Sequence, residues 1–192
     1  MQKRELRQQM QQKRAHYTAA ELQEWSSRIT GHFFDHFTLA DYRTIHVFLP
    51  ILRKKEIDTW QIIRQLQMNY PHIRIAVSVS NTVDCTLDHF WLKPETKLQE
   101  NKWGIPEPVQ AEGIPVADID MVLVPLLAFD RQGHRVGYGK GFYDRFLASC
   151  RPGTVKIGLS LESVGKQVAD VHEGDVVLDY VITPAAVIAF QK

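Results

Sequence analysis

Apolar residues recur at helical spacing in the first part of the chain, then gather into short continuous runs. Residues 2–14 are good helix formers without Gly or Pro. Leu6 and Met10 set a narrow apolar stripe there, beside a basic face with Lys13 and Arg14. Thr18 with Glu21 reads as a capping box, and Leu22, Trp25, Ile29 and Phe33 carry a second predicted helix to about Phe37. The run IHVFLP, Ile45–Pro50, predicts a buried strand closed by Pro. Asp58 is the expected cap of a helix bearing Trp60, Ile63, Leu66 and Gln67, which ends by Pro71. Ile73–Val79 predicts the next strand, and residues 81–92 hold one or two more around Cys85 and Phe90. Pro94, Pro106, Pro108 and Pro115, with Gly104 and Gly113, mark residues 93–118 as loop. A loop of that length in a compact domain is often functional. Ile119–Pro125 is a strongly apolar predicted strand. Gly141–Cys150 predicts a helix with Phe142, Phe146 and Leu147 on one face, and Val155–Ser160 and Asp179–Phe190 predict the last strands.

Helices and strands alternate, and the strands are continuous apolar runs rather than alternating ones. That pattern predicts an α/β fold, a three-layer α/β/α sandwich on a mainly parallel sheet. A chain of 192 residues suits a single domain, residues 1–192, with a substantial core.

Composition narrows the function classes. The formal net charge of +1 argues against a general polyanion binder, so no nucleic-acid partner is expected. The opening MQKRELRQQMQQKR lacks the apolar segment of a secretory signal, and no run approaches the roughly 18 apolar residues of a membrane span. Cys85 and Cys150 are far apart and form no CxxC, which fits a reducing, cytoplasmic setting. No HxH or HExxH occurs, and the i,i+3 pair His172 and Asp175 lacks a third ligand, so zinc is not expected. No unusual apolar stripe demands a partner, and a monomer is expected.

The candidate chemistry sits in HRVGYGKGFYDRF, His134–Phe146. It follows the Ile119–Pro125 strand, where open α/β sheets place their ligands. A helix starting near Gly141 would turn unpaired N–H groups toward an anion, and glycines would let phosphate oxygens approach the backbone. The spacing G-x-G-x-G matches neither the P-loop nor the dinucleotide fingerprint, so it leaves a plain glycine turn open. Lys140 and Asp144 are also i,i+4 neighbours, which as a surface pair would contribute only about 0.2–0.5 kcal/mol. Arg135, Lys140 and Arg145 around the acidic Asp144 supply what phosphoryl transfer requires: cations for phosphates and a carboxylate for Mg²⁺.

RVGYGKGFYDR, Arg135–Arg145, resembles the signature of the 5-formyltetrahydrofolate cyclo-ligase (5,10-methenyltetrahydrofolate synthetase) family. Three further segments agree in order: KRELR (Lys3–Arg7) continued by Met10, Lys13 and Arg14; FLP (Phe48–Pro50) with EIDT (Glu56–Thr59); and WGIPEP (Trp103–Pro108). The resemblance runs from residue 3 to about residue 184. It implies a fold similar to ribose-5-phosphate isomerase-type proteins. The activity it implies is the use of ATP and Mg²⁺ to convert 5-formyltetrahydrofolate into 5,10-methenyltetrahydrofolate. On the resemblance, Lys3, Arg4 and Arg7 contact ATP phosphates. Arg135, Gly137, Tyr138, Gly139, Lys140, Gly141, Phe142 and Tyr143 wrap the nucleotide, and Lys140 and Arg145 serve catalysis. Asp144 and Asp175 hold Mg²⁺, with Asp179 the alternative to Asp175. Glu56 receives the pterin N–H groups, and Phe48, Leu49, Trp103 and Tyr143 wall the ring. Taken alone, the basic helix reads as a solvated face and Glu56 as a surface partner of Lys54 and Lys55.

Two other readings compete. An ATP-independent sugar-phosphate isomerase or acyl-CoA-handling protein of the same fold would also want a phosphate loop. It would need a general base as well, and no second carboxylate is clearly linked to the loop. A non-catalytic nucleotide or RNA-binding module would want a basic, aromatic stripe, which the chain lacks.

Overall fold

The structure, a computed structural model, describes residues 1–101 and 104–190. Four helices form: α1 (Lys3–Ala15), α2 (Ala19–His36), α3 (Trp60–Asn69) and α4 (Phe142–Ser149). The strands are β1 (Thr44–His46), β2 (Arg74–Asn81), β3 (Thr86–Trp91), β4 (Leu98–Glu100), β5 (Pro106–Pro108), β6 (Met121–Pro125), β7 (Ala128–Phe129), β8 (Arg135–Val136), β9 (Val155–Leu159), β10 (Tyr180–Ile182) and β11 (Val187–Ala189). Seven of them build one sheet in the order β11-β10-β9-β6-β1-β2-β3. The five central strands are parallel, and β11 and β3 close the edges antiparallel.

The central strands read as unbroken apolar runs because both faces are covered. In β6, Met121 and Leu123 join the core under α2 and α3, which includes Ile29, Phe33, Ile62 and Leu66. Val122 and Val124 face the other way, into the core of Phe146 and Leu147 from α4. These are the three layers the pattern predicts. Thr18 forms the expected capping box with Glu21 at the start of α2.

The structure departs from the predicted elements where backbone pairing and burial part company. In IHVFLP only Ile45 and His46 belong to a strand. Phe48 and Leu49 stay buried but leave the sheet at its carboxyl edge, and Pro50 has no N–H for a ladder. The α3 cap is Thr59 rather than Asp58, although the Asp58 carboxylate accepts the Trp60 N–H at 3.2 Å. The Thr59 hydroxyl instead donates to the Phe48 carbonyl at 2.6 Å. The proline-rich loop contains the β4–β5 ribbon, with Leu98 opposite Pro108 and Glu100 opposite Pro106. Proline is tolerated in such a two-stranded edge. A second ribbon, β7–β8, carries the start of the glycine stretch, and α1 packs on it through Leu6, Ala128, Val136 and Val168.

Candidate functional site

Beyond the carboxyl ends of β1, β2 and β6 lies a cleft of about 710 Å³. Phe48 and Leu49 leave β1 into it, Ser78 and Ser80 line it from β2, and Pro125 lines it from the end of β6. The glycine stretch and the first two turns of α1, through Lys3 and Arg7, line it as well.

Two glycines give that stretch its shape. Gly139 has φ +92°, and Gly141, the residue before α4, has φ +71°, in the region that side chains rarely adopt. A Cβ on Gly139 would lie 3.0 Å from the Arg7 guanidinium carbon. Arg7 Nε donates to the Gly137 carbonyl at 2.8 Å, so α1 is fastened to the stretch. Among the described residues no side chain caps the N-terminus of α4, whose first residues Phe142, Tyr143 and Asp144 line the cleft. Lys140 is exposed at the rim and forms no ion pair among the described residues.

Two of the cleft carboxylates, Asp144 and Asp175, are held by cations. Asp144 does not pair with Lys140: its Oδ1 accepts from Arg135 Nη2 at 2.6 Å and from the Val176 N–H at 3.3 Å. Arg135 is buried, and its other terminal nitrogen donates to the Val176 carbonyl. Asp175 accepts from Lys3 Nζ and from the His172 N–H, the latter at 2.7 Å. Burial alone would push its carboxyl up, but those two donors bring it below the ordinary range. Asp144 and Asp175 therefore present oxygens to one cleft around one arginine. Mg²⁺ takes one or two carboxylates with phosphate oxygens and waters, and this pair fits that habit. Asp179 lies outside the cleft lining and accepts the Lys156 N–H at 2.8 Å, tying β9 to the segment before β10.

Glu56 is only 7% exposed, so it is no surface partner of the lysines. One carboxylate oxygen accepts the Ile51 N–H at 2.8 Å and the other accepts the Tyr138 hydroxyl. Burial first, and then the Glu56 charge, push the Tyr138 phenol well above its usual range, which keeps it a donor. Lys55 turns away and donates to the Ala15 and Tyr17 carbonyls at 2.6 and 2.7 Å, after the last turn of α1. Lys54 lies 5.2 Å above the Tyr138 ring. Arg14 is buried as well, with Nη2 donating to the Leu126 carbonyl at 2.7 Å.

At the floor, His46 of β1 and His89 of β3 flank Ser78 of β2. Ser78 Oγ is 2.6 Å from His46 Nε2 and 3.2 Å from His89 Nδ1. Burial, and then the neighbouring His89, hold His46 neutral well below its usual range, and burial lowers His89 to about 4.

Lys3, Arg7, Phe48, Leu49, Glu56, Asp175 and the stretch from Arg135 through Asp144, Val136 excepted, line this cleft. Arg4 is exposed and outside it. Arg145 also stands outside, donating to the Cys85 carbonyl at 2.9 Å and the Lys140 carbonyl at 2.6 Å. Trp103 lies outside the described residues. Sequence reasoning missed the Ile51 N–H, the inward turn of Arg14 and the Ser78 floor. A hydroxyl at every second position of β2, Ser78 then Ser80, was the available signal for the last.

The family described as the 5-formyltetrahydrofolate cyclo-ligase family matches residues 1–184. A 5-formyltetrahydrofolate cyclo-ligase of Haemophilus influenzae is 29% identical over 147 residues, 76% of this chain and 77% of that one. One from Escherichia coli K12 is 28% identical over 185 residues, 93% of this chain and 98% of its own. The solved structure of a 5,10-methenyltetrahydrofolate synthetase from Mycoplasma pneumoniae superposes with a TM-score of 0.73 at 25% identity, covering 96% of this chain and 99% of that one. A basic first helix fastened to a glycine stretch, with a buried glutamate bonded to Tyr138 of that stretch in the same cleft, is thus found in a chain that belongs to the 5-formyltetrahydrofolate cyclo-ligase family, a family of ligases.

Proposed function

We propose that this chain cyclises 5-formyltetrahydrofolate to 5,10-methenyltetrahydrofolate with Mg²⁺ and ATP, releasing ADP and phosphate. One observation supports this most: a single cleft joins cations from α1, the glycine stretch and the Glu56 segment, which are far apart in the chain. The N5 formyl group is an amide, and its oxygen leaves poorly. Transfer of the terminal phosphoryl group of ATP to that oxygen makes a leaving group. N10 then attacks the formyl carbon, closing a five-membered ring and expelling phosphate, and sheds its proton.

The residues supply position and charge. Lys3, Arg7 and the N–H groups at the start of α4 bind phosphates, and Lys140, whose side chain forms no ion pair among the described residues, meets the transferring group. Arg145 acts from outside the cleft by holding the Lys140 carbonyl in place. Asp144 and Asp175 would hold Mg²⁺, which when bound neutralises phosphate charge. Glu56 accepts pterin N–H groups as a pair, between Phe48, Leu49 and Tyr143.

The test is the absorbance of the methenyl product. Purified protein should form it only when Mg²⁺, ATP and 5-formyltetrahydrofolate are all present, and chelation of Mg²⁺ should stop it. Lys140→Ala and Asp144→Ala should each cost on the order of 10²-fold in turnover. No product with fresh ATP and active folate would overturn the proposal.

A further inference from the structure

The row at the floor of the cleft has a hydrogen count that can be closed. Each histidine is neutral and so carries one ring N–H. His46 is 0% exposed and His89 6%. Their far nitrogens, His46 Nδ1 and His89 Nε2, are buried with no hydrogen-bond partner among the described residues. The backbone carbonyls of Leu123 and His46 act on the His46 ring, but neither bonds to Nδ1 in hydrogen-bond geometry. Phe146 shuts the row in, its ring centre 5.0 Å from His46 and 4.1 Å from His89.

A buried N–H without an acceptor is rarer and costlier than a bare lone pair. The two ring hydrogens therefore belong on the nitrogens that face Ser78, and the bare lone pairs on those that face the core. Ser78 has two lone pairs and one hydrogen. With both lone pairs filled by the histidines, its hydrogen has nowhere to go within the row. Ser78 lines the cleft, so that hydrogen points into it. Two donors on one hydroxyl oxygen also polarise its O–H.

We propose that Ser78 is a fixed hydrogen-bond donor to a ligand oxygen, and that His46 and His89 are positioning residues that aim it. Two oxygens share that chemistry, a phosphate oxygen of the nucleotide and a carbonyl oxygen of the folate. The aiming of the hydroxyl stands on the protein alone. Only the identity of the ligand rests on the proposed function.

Long-range proton–nitrogen NMR of protein labelled at the histidine ring nitrogens reads the tautomers directly. Histidine-to-glutamine variants serve only to assign the peaks. The expected result at neutral pH is hydrogen on Nε2 of His46 and on Nδ1 of His89. Hydrogen on His46 Nδ1 or His89 Nε2 would turn the Ser78 hydrogen inward and overturn the proposal. Calorimetry then compares the parent with Ser78→Ala for Mg·ATP and for 5-formyltetrahydrofolate separately. A loss of about tenfold in affinity for one of them is expected, and it names the oxygen that Ser78 meets. Unchanged affinity for both would overturn the proposal. Failure of the parent protein to bind either ligand would instead sink the proposed function, and the tautomers would still decide the direction of the hydroxyl.

Discussion

Replacing Tyr138 by Phe removes one hydroxyl from the junction between the glycine stretch and the Glu56 segment. That hydroxyl donates to Glu56, a carboxylate only 7% exposed, and no other side chain among the described residues donates to it. Arg14 Nη1 reaches the same hydroxyl at 3.4 Å, too long to add much, and keeps its bond to Leu126 in the variant. A hydrogen bond to a charged group contributes about 1.5–3 kcal/mol. Burial of the abandoned oxygen places this one toward the upper part of that range. For a chain of this size each kcal/mol lowers the melting temperature by about 2–4 °C, so a loss of about 2–3 kcal/mol should lower the variant's melting temperature by about 4–12 °C. Glu56 would keep only the Ile51 N–H and turn about it. The paired acceptance of pterin N–H groups proposed for it would weaken, and affinity for 5-formyltetrahydrofolate should fall about tenfold. Affinity for Mg·ATP should stay within about twofold, because the Arg7 and Gly137 contact is untouched. Calorimetric melting and titration with each ligand measure both effects. A melting temperature within about 1 °C of the parent, with unchanged folate affinity, would refute the role given to this hydroxyl.

Lys3 lines the cleft and Arg4 does not, so Lys3→Ala should raise the KM for ATP several-fold while Arg4→Ala leaves the kinetics near normal. Equal losses in the two would mean that α1 acts by charge alone. His89 is lowered to about 4 from an ordinary value of 6.5, so the unfolded chain takes up a proton that the folded one refuses. That contribution, roughly 3 kcal/mol, is present above pH 6.5 and is lost as the pH falls toward 4. Urea unfolding at neutral and mildly acid pH should show it, and His89→Gln should flatten the dependence. A Cβ on Gly158 would lie 2.5 Å from a Leu126 methyl and 2.6 Å from a Leu178 methyl. Gly158→Ala should therefore cost about 1–3 kcal/mol by overpacking β9, read as a lower melting temperature.

The layers were legible because β6 and its neighbours carry a local signal. Residues such as Met121–Pro125 are apolar at every position, and only a sheet covered on both faces explains that. The short ribbons were hidden for an equally physical reason. β7 and β8 have two residues each, too few for any period, and the prolines of β5 argue against a strand by their chemistry. In the site, the glycine stretch announced itself, but the partners of its charges did not. Asp144 chooses Arg135 over the sequence-near Lys140, and Glu56 is buried among groups from Ile51 and Tyr138. Such pairings follow from tertiary placement, which leaves no periodic trace. The histidine row is the extreme case, with three polar residues from three strands meeting only because β1, β2 and β3 lie side by side.

The seat of α1 bears on the order in which the molecule assembles. Its apolar anchor is a small cluster on the β7–β8 ribbon, separate from the two cores of the sheet. Among its polar ties, Arg7 to Gly137 and Lys3 to Asp175 span 130 and 172 residues of chain. Contacts so far apart in sequence close the longest loops, and the sheet must be in place before they can form. A segment held by few buried apolar contacts also opens at low free energy. Amides of α1 should exchange with solvent long before those of β6. The wall of the cleft that α1 and the glycine stretch build is then the last part of the protein to close and the first to come undone.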